Sequence, residues 1–252
     1  MRRFFVENIL LTEGLISITG KEARHITNVL RMKKGEVLII MDGKGRLFES
    51  EIEKLHSGAV EVKIIKSIPS PPSSPIEINL VQALIKSKNM DYLIQKTTEL
   101  GIHSIHLFYS ERTIIRLGPD NIAHKIDRWN EIIKSACKQC GRPVFPIIYP
   151  PIAFKDLMKK ATANSTLKLL VWEDEQKADL KSVFKSMNRS HSIMAIVGPE
   201  GGFTINEIKL AREAGFRMVS LGKRILRSET AGVTLASIIQ YEWGDLNLNL
   251  RI

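Results

Sequence analysis

The run PSPPSSP, Pro69 to Pro75, can be neither helix nor the interior of a sheet, because each proline fixes its own backbone and removes an amide donor. Such a stretch reads as extended chain between two folding units, and the hydrophobic pattern changes across it. Before it, LISIT, EVLIIMD, RLFESEIEKL and AVEVKIIKSI are short strand-like runs bounded by glycine-containing turns, with GKEARHITNVLR as one helical insertion. This pattern predicts a small β-barrel over residues 1–70. After a linker at 71–75, strand-like and helix-like segments alternate: EINLVQAL and MDYLIQKTTELG, SIHLFYS and NIAHKIDRWNEIIKSAC, LKLLVWED and ADLKSVFKSM, SIMAIVG and INEIKLAREAG, MVSLG and ETAGVTLASIIQYEW. Repeated βα units predict an α/β domain over residues 76–252, with a mostly parallel sheet and helices on both faces.

The chain has 252 residues, with 37 Lys and Arg against 27 Asp and Glu, a net charge of +10. A surplus of that size favours a polyanionic partner such as nucleic acid, although an enzyme with a small anionic substrate would carry it too. No apolar run is long enough to cross a bilayer and no secretory core opens the chain, so a cytoplasmic protein with no membrane partner is expected. Cys137 and Cys140 form a lone C-x-x-C without the second pair that a structural zinc needs. His103 and His106 belong to a strand pattern that sends positions three apart to opposite faces. No metal site is expected from either pair.

Parallel sheets place ligands beyond the carboxyl ends of their strands. AIVGPEGGF, Ala195 to Phe203, ends an apolar run there, and Thr204 to Glu207 fits a capping box that starts the next helix. The bare glycine backbone between them suits the close approach of a ligand, or an ordinary tight turn. The spacing is neither G-x-G-x-x-G nor G-x-x-x-x-G-K-[ST], which excludes the dinucleotide and P-loop readings. LGKRILRSETAGVTLASII, Leu221 to Ile239, repeats the arrangement, breaking a strand at Gly222 and opening a helix near Ser228. Two such loops on successive strand ends are expected side by side. Leu221, Ile225 and Leu226 would wall a flat ring there, with Arg227, Glu229 and Thr230 as a polar set at the helix start. Glu229 would equally complement the helix dipole, and Arg224 and Arg227 would equally be solvated charges.

IVGPEGGF followed by LGKRILRSETA resembles the paired C-terminal motifs of the ribosomal RNA small subunit methyltransferase E family, in the knotted SPOUT superclass of S-adenosylmethionine-dependent enzymes. The resemblance extends to RRFFV, HITNVLR, QKTTELG, SERT and CGRPVFP, and departs from the family at ACKQCGR, where relatives carry an acidic residue and a serine. It implies a PUA-like β-barrel joined to an α/β domain whose C-terminal end threads a trefoil knot, a topology that general chain rules make very improbable. It further implies a homodimer that completes the active site. The implied S-adenosylmethionine pocket comprises Trp172, Gly198, Pro199, Glu200, Gly201, Leu221, Gly222, Ile225, Leu226, Arg227, Thr230 and Ala231. The implied reaction is methylation of N3 of a uridine in 16S ribosomal RNA of the small subunit.

For that chemistry the enzyme must align N3, favour the uridine imidate and remove one proton. Arg227 is placed to stabilise charge on a uracil carbonyl oxygen, while Glu200 or Glu229 would accept the proton or order the loops. Arg2, Arg3, Arg24, His25 and Arg31 in the barrel, with Lys86, Arg112 and Arg142 in the larger domain, are the candidates for phosphate contacts that offset extruding a stacked base. A non-catalytic RNA-binding assembly factor on the same fold is the alternative, which donor binding would separate from the enzyme.

Overall fold

The computed structural model describes residues 1–7, 9, 15–161 and 167–246. The chain divides into two compact units, Met1–Pro72 with Lys134–Phe145, and Ser73–Ile133 with Pro146–Ile252. The first boundary thus falls inside the proline run. The second stretch of unit one, Lys134–Phe145, lies in the half of the sequence assigned to the α/β domain.

In the first unit, strands β1 (Arg3–Phe5), β2 (Leu15–Thr19), β3 (Val37–Met41), β4 (Leu47–His56) and β5 (Ala59–Ile68) form one mixed sheet in the order β1-β3-β4-β5-β2. Alternation does what the sequence promised: Ile16 and Ile18 of β2 are buried, and Ser17 and Thr19 between and after them are exposed. Phe4 from one edge strand and Ile16 and Ile18 from the other lie in a single core cluster, so the sheet wraps round one interior as a PUA-like barrel does. Bulges in the β4–β5 pair at Glu49/Ser50 and Ile52/Lys54 supply local bending. Strand β1, which the sequence pattern did not mark as a strand, pairs parallel with β3.

GKEARHITNVLR is not one helix. Gly20–Arg24 is α-helical (α1), and His25–Val29 widens into a π-turn that ends before Arg31, which has φ +49°. Thr27 Oγ1 donates to Ala23 O at 3.0 Å, so a side chain takes up the carbonyl that the Thr27 amide would use in an α-helix. Lys134–Phe145 is bound into this unit by an ion pair from Lys138 Nζ to Glu22 at 2.5 Å and by the Phe145 amide donating to Gly43 O at 3.0 Å. Gly43 has φ +72°, and a Cβ there would sit 2.8 Å from the Phe145 ring.

In the second unit, β6 (Glu77–Ala83), β7 (Ser104–Tyr109), β8 (Ile147–Ala153), β9 (Leu167–Val171), β10 (Ser192–Val197) and β11 (Arg217–Val219) form a fully parallel sheet in the order β11-β9-β10-β6-β7-β8. The helices are α2 (Ser87–Glu99), α3 (Pro119–Cys140, whose last stretch from Lys134 belongs to the first unit), α4 (Phe154–Ala161), α5 (Leu180–Ser186), α6 (Ile205–Glu213) and α7 (Ser228–Trp243). Both faces of β6 are buried. Val81 and Ala83 join a cluster with residues of α4 and α6, while Leu80 and Gln82 face Gly232 of α7. The sequence pattern marked neither α4 nor β8. Pro150 and Pro151 hid β8, and they are tolerated because β8 is an edge strand of the sheet. The capping box at Thr204 and Glu207 is present, with the Thr204 amide donating to Glu207 Oε2 at 2.9 Å.

Candidate active site

Every strand of the parallel sheet points its carboxyl end the same way, and the turns after β9, β10 and β11 enclose a cleft of about 550 Å³ together with the start of α2 and α7. The turns after β10 and β11 do not sit on adjacent strands, as their succession in sequence suggested, because β9 lies between β10 and β11. Val171, Trp172 and Glu173 at the end of β9 therefore form part of the wall between them.

Of the residues expected in the donor pocket, Trp172, Gly198, Pro199, Glu200, Leu221, Gly222, Ile225, Leu226, Arg227 and Ala231 line this cleft, as do Glu229 and Lys86. Gly201 and Thr230 lie outside its wall. The Gly201 carbonyl accepts from Arg112 Nη1 at 3.0 Å, and a Cβ on Gly201 would come 3.2 Å from Arg112 Cβ. Thr230 is exposed on the first turn of α7.

The glycines serve different ends. Gly198 is required by packing, since a Cβ there would come 2.7 Å from the Phe203 ring. At Gly202, with φ +69°, a Cβ would collide with the Glu173 carboxylate. Gly222, with φ +112°, has nothing within 4 Å of its missing Cβ, so it is the position where bare backbone meets open space.

Two residues hold the loops in register, Ser228 at the helix start and Gln82, which the local sequence pattern does not single out. Gln82 on β6 is fully buried, and its Nε2 donates to Ser228 Oγ at 2.9 Å. Ser228 Oγ in turn donates to Gly198 O at 2.5 Å. This relay joins the first residue of α7 to the first glycine of the β10 turn. A glutamine in the apolar run NLVQAL was its only sequence signal.

Cations and carboxylates share the cleft: Lys86, Lys223, Arg224 and Arg227 face Glu173, Glu200 and Glu229 across it. Arg227 is the residue preceding α7, in extended conformation, and its exposed side chain pairs with no carboxylate among the described residues. Glu200 is exposed at the rim and accepts from the Lys86 amide at 3.3 Å. Glu229 is buried in the first turn of α7, with Oε2 sealed from solvent and without a donor among the described residues.

Among the residues named for RNA, Arg2, Arg24, His25 and Arg31 are exposed in the first unit. Arg3 is half-buried, with its guanidinium against Gly141. Arg142 belongs to the same unit and is also half-buried. Cys137 and Cys140 are free, and burial pushes the Cys137 thiol up to about 12, which leaves it inert. His106 is half-buried and stacks on the exposed Tyr149, ring centroids 4.4 Å apart. Among the described residues no group of His, Cys, Asp and Glu could hold a metal ion, and no helix is long and apolar enough to cross a membrane.

Comparison with known proteins places this geometry. Residues 72–240 match the RNA methyltransferase domain family and residues 18–65 the RNA methyltransferase PUA domain family. The ribosomal RNA small subunit methyltransferase E of Bacillus subtilis is 29% identical, over 96% of this chain and 97% of its own. That of Synechocystis sp. is 31% identical, over 90% of this chain and 74% of its own. The Neisseria gonorrhoeae ribosomal RNA small subunit methyltransferase E, crystallised with S-adenosyl methionine, superposes with a TM-score of 0.87 at 34% identity, covering 98% of this chain and all of the other. With both halves matched in order and the loop motifs assembled into one cleft, the chain belongs to the ribosomal RNA small subunit methyltransferase E family.

Proposed function

We propose that the protein methylates N3 of a uridine in 16S ribosomal RNA, using S-adenosylmethionine held in the cleft between the β9, β10 and β11 turns. The observation that carries this reading is the cleft itself, where apolar wall, open backbone and carboxylates meet at the carboxyl ends of a parallel sheet. Its residues fit the donor. Trp172, Leu221, Ile225 and Leu226 offer apolar surface to a purine, Gly222 offers unobstructed backbone, and Glu173 and Glu200 offer negative charge to a cationic ligand.

When bound, the donor supplies a methyl group already activated by its sulfonium. The chain's own residues must do the rest. Uracil N3 is a poor nucleophile until its proton leaves, so Arg227 donates to a carbonyl oxygen as negative charge develops on the ring. Its lack of an ion-pair partner among the described residues leaves the guanidinium available for that task. Glu200 accepts the proton, because an exposed carboxylate can pass it on to water after each turnover. Glu229, with an oxygen sealed from solvent, orders the start of α7 instead.

The first unit engages the RNA through Arg2, Arg3, Arg24, His25, Arg31 and Arg142, with Lys86 and Arg112 contributing from the second. The chain works in the cytoplasm as a homodimer with the knotted C-terminal topology of its superclass. Most of the apolar face of α7 is consumed within its own unit, and the outward row of Val233, Ile238 and Tyr241 remains for a partner copy. Calorimetric titration of S-adenosylmethionine, followed by transfer of its labelled methyl to small ribosomal subunits, tests the reading. Donor binding without transfer would instead make the chain a non-catalytic assembly factor.

A further inference from the structure

A second cleft of about 400 Å³ shares no residue with the first. It lies at the opposite, amino ends of the strands, between Leu167 and Lys168 opening β9, Arg217 opening β11, and the segment Met187–Ser190 that precedes β10. Three cations meet there. Lys168 is only 9% exposed, and its ammonium, with three hydrogens to give, has one acceptor among the described residues, Ala214 O at 3.2 Å. Arg189 Nη2 donates to Trp243 O at 2.6 Å, but its Nε is buried and finds no acceptor among the described residues. Arg217 is exposed, and among the described residues none of the three pairs with a carboxylate.

Ala214 and Trp243 lie at the ends of α6 and α7, so Lys168 and Arg189 each meet a helix carboxyl terminus. Two such ends carry about half a negative charge apiece, which leaves about two positive charges uncompensated around the cavity. A buried N–H without an acceptor is costly, and an oxyanion with several acceptor oxygens removes that cost at once. We propose that this cleft is a phosphate-binding site that takes a phosphodiester of the substrate RNA away from the reacting base. In naming RNA the proposal rests on the function proposed above. The phosphate chemistry stands on the cavity alone.

Two arms test it on the full-length protein. The first titrates inorganic phosphate calorimetrically into the wild type and into Arg217→Glu and Arg189→Lys, with S-adenosylmethionine affinity measured alongside as a check on folding. Saturable phosphate binding in the wild type that is weakened at least tenfold in Arg217→Glu, with donor affinity unchanged, is expected. The second measures binding to small ribosomal subunits across a salt series. Arg217→Glu should lower the slope of log K against log salt by about 0.7–0.9 for each phosphate that the protein no longer neutralises. Phosphate binding with an unchanged RNA slope would overturn the RNA assignment and leave a free phosphorylated ligand as the occupant. Absence of phosphate binding together with an unchanged slope would overturn the site. If the wild type binds phosphate but methylates no RNA, the proposed function fails while this cleft stands.

Discussion

Arg227 is the side chain on which the chemical reading turns. It stands between the apolar Ile225 and Leu226 and the buried Ser228, with its guanidinium free of ion pairs among the described residues. Removing one preorganised donor to a developing oxyanion costs about two to three orders of magnitude in turnover. Arg227→Ala should lose that much in single-turnover methylation while donor affinity in calorimetry changes several-fold at most. A large loss of donor binding with unaltered chemistry at saturation would give Arg227 to the donor instead. The two glutamates separate in the same assays: Glu200→Gln should slow methyl transfer at saturating donor, and Glu229→Gln should lower donor affinity and thermal stability together. The relay makes its own demand. Ser228→Ala takes from Gly198 O its Ser228 donor and leaves Gln82 Nε2 only the longer bond to Ala83 O at 3.2 Å, which should cost about 1–3 kcal/mol in denaturant unfolding and weaken donor binding. Gln82→Leu should add little to it, because both changes break one chain of bonds, and full additivity would dissolve the relay. The motif residues were legible because Gly-rich turns and a capping box write themselves locally. Gln82 was not, since its partner stands 146 positions away and nothing near it announces the contact.

At the scale of elements, two packing features can be tested apart from catalysis. Gly232 lets α7 lie close on β6 and α2, where a Cβ would come 2.6 Å from Leu93 Cδ1 and 3.1 Å from Gln82 Oε1. Gly232→Ala should therefore destabilise by about 1–3 kcal/mol despite the better helix propensity of alanine. A gain in stability would show that the helix has room. His106 on β7 has its pKa held below 6.5 by burial first and by neighbouring His103 second. Folded protein therefore binds this proton less readily than unfolded chain, so its contribution to stability is present above pH 6.5 and is lost as pH falls towards the lower folded value. His106→Phe keeps the stack on Tyr149 and removes the titration, and its unfolding free energy should fall less between pH 7 and 5 than that of the wild type. Equal slopes would mean that His106 is not desolvated. Periodicity revealed most of the strands and helices, but not β1, α4 or β8, whose two prolines look like a loop, nor the π-turn at His25–Val29, where the Thr27 hydroxyl donates to Ala23 O.

For the whole molecule, one boundary between the two units follows Pro72, inside the proline run, while Lys134–Phe145 lies far beyond that run in sequence and packs with the first unit through Lys138, Val144 and Phe145. Deleting residues 1–75 would strip that segment of its partners, so the role of the first unit is better tested on the intact chain. Replacing Arg2, Arg24 and Arg31 together by glutamine should leave S-adenosylmethionine affinity unchanged and reduce methylation of small subunits, with a shallower salt dependence of binding. Unchanged activity would move RNA engagement to the second unit. The net charge of +10 made a polyanionic partner legible, and family motifs narrowed it to ribosomal RNA, but charge alone carries no geometry. On the function proposed above, the cleft at the carboxyl ends of β9, β10 and β11 transfers a methyl group to N3 of uridine. The most direct measurement incubates the protein with isotope-labelled S-adenosylmethionine and small subunits lacking the modification, then maps the labelled nucleoside by mass spectrometry. N3-methyluridine at one position of 16S ribosomal RNA, lost in Arg227→Ala, is the result expected; label on another atom or base, or none despite bound donor, would rule out N3 methylation by this cleft.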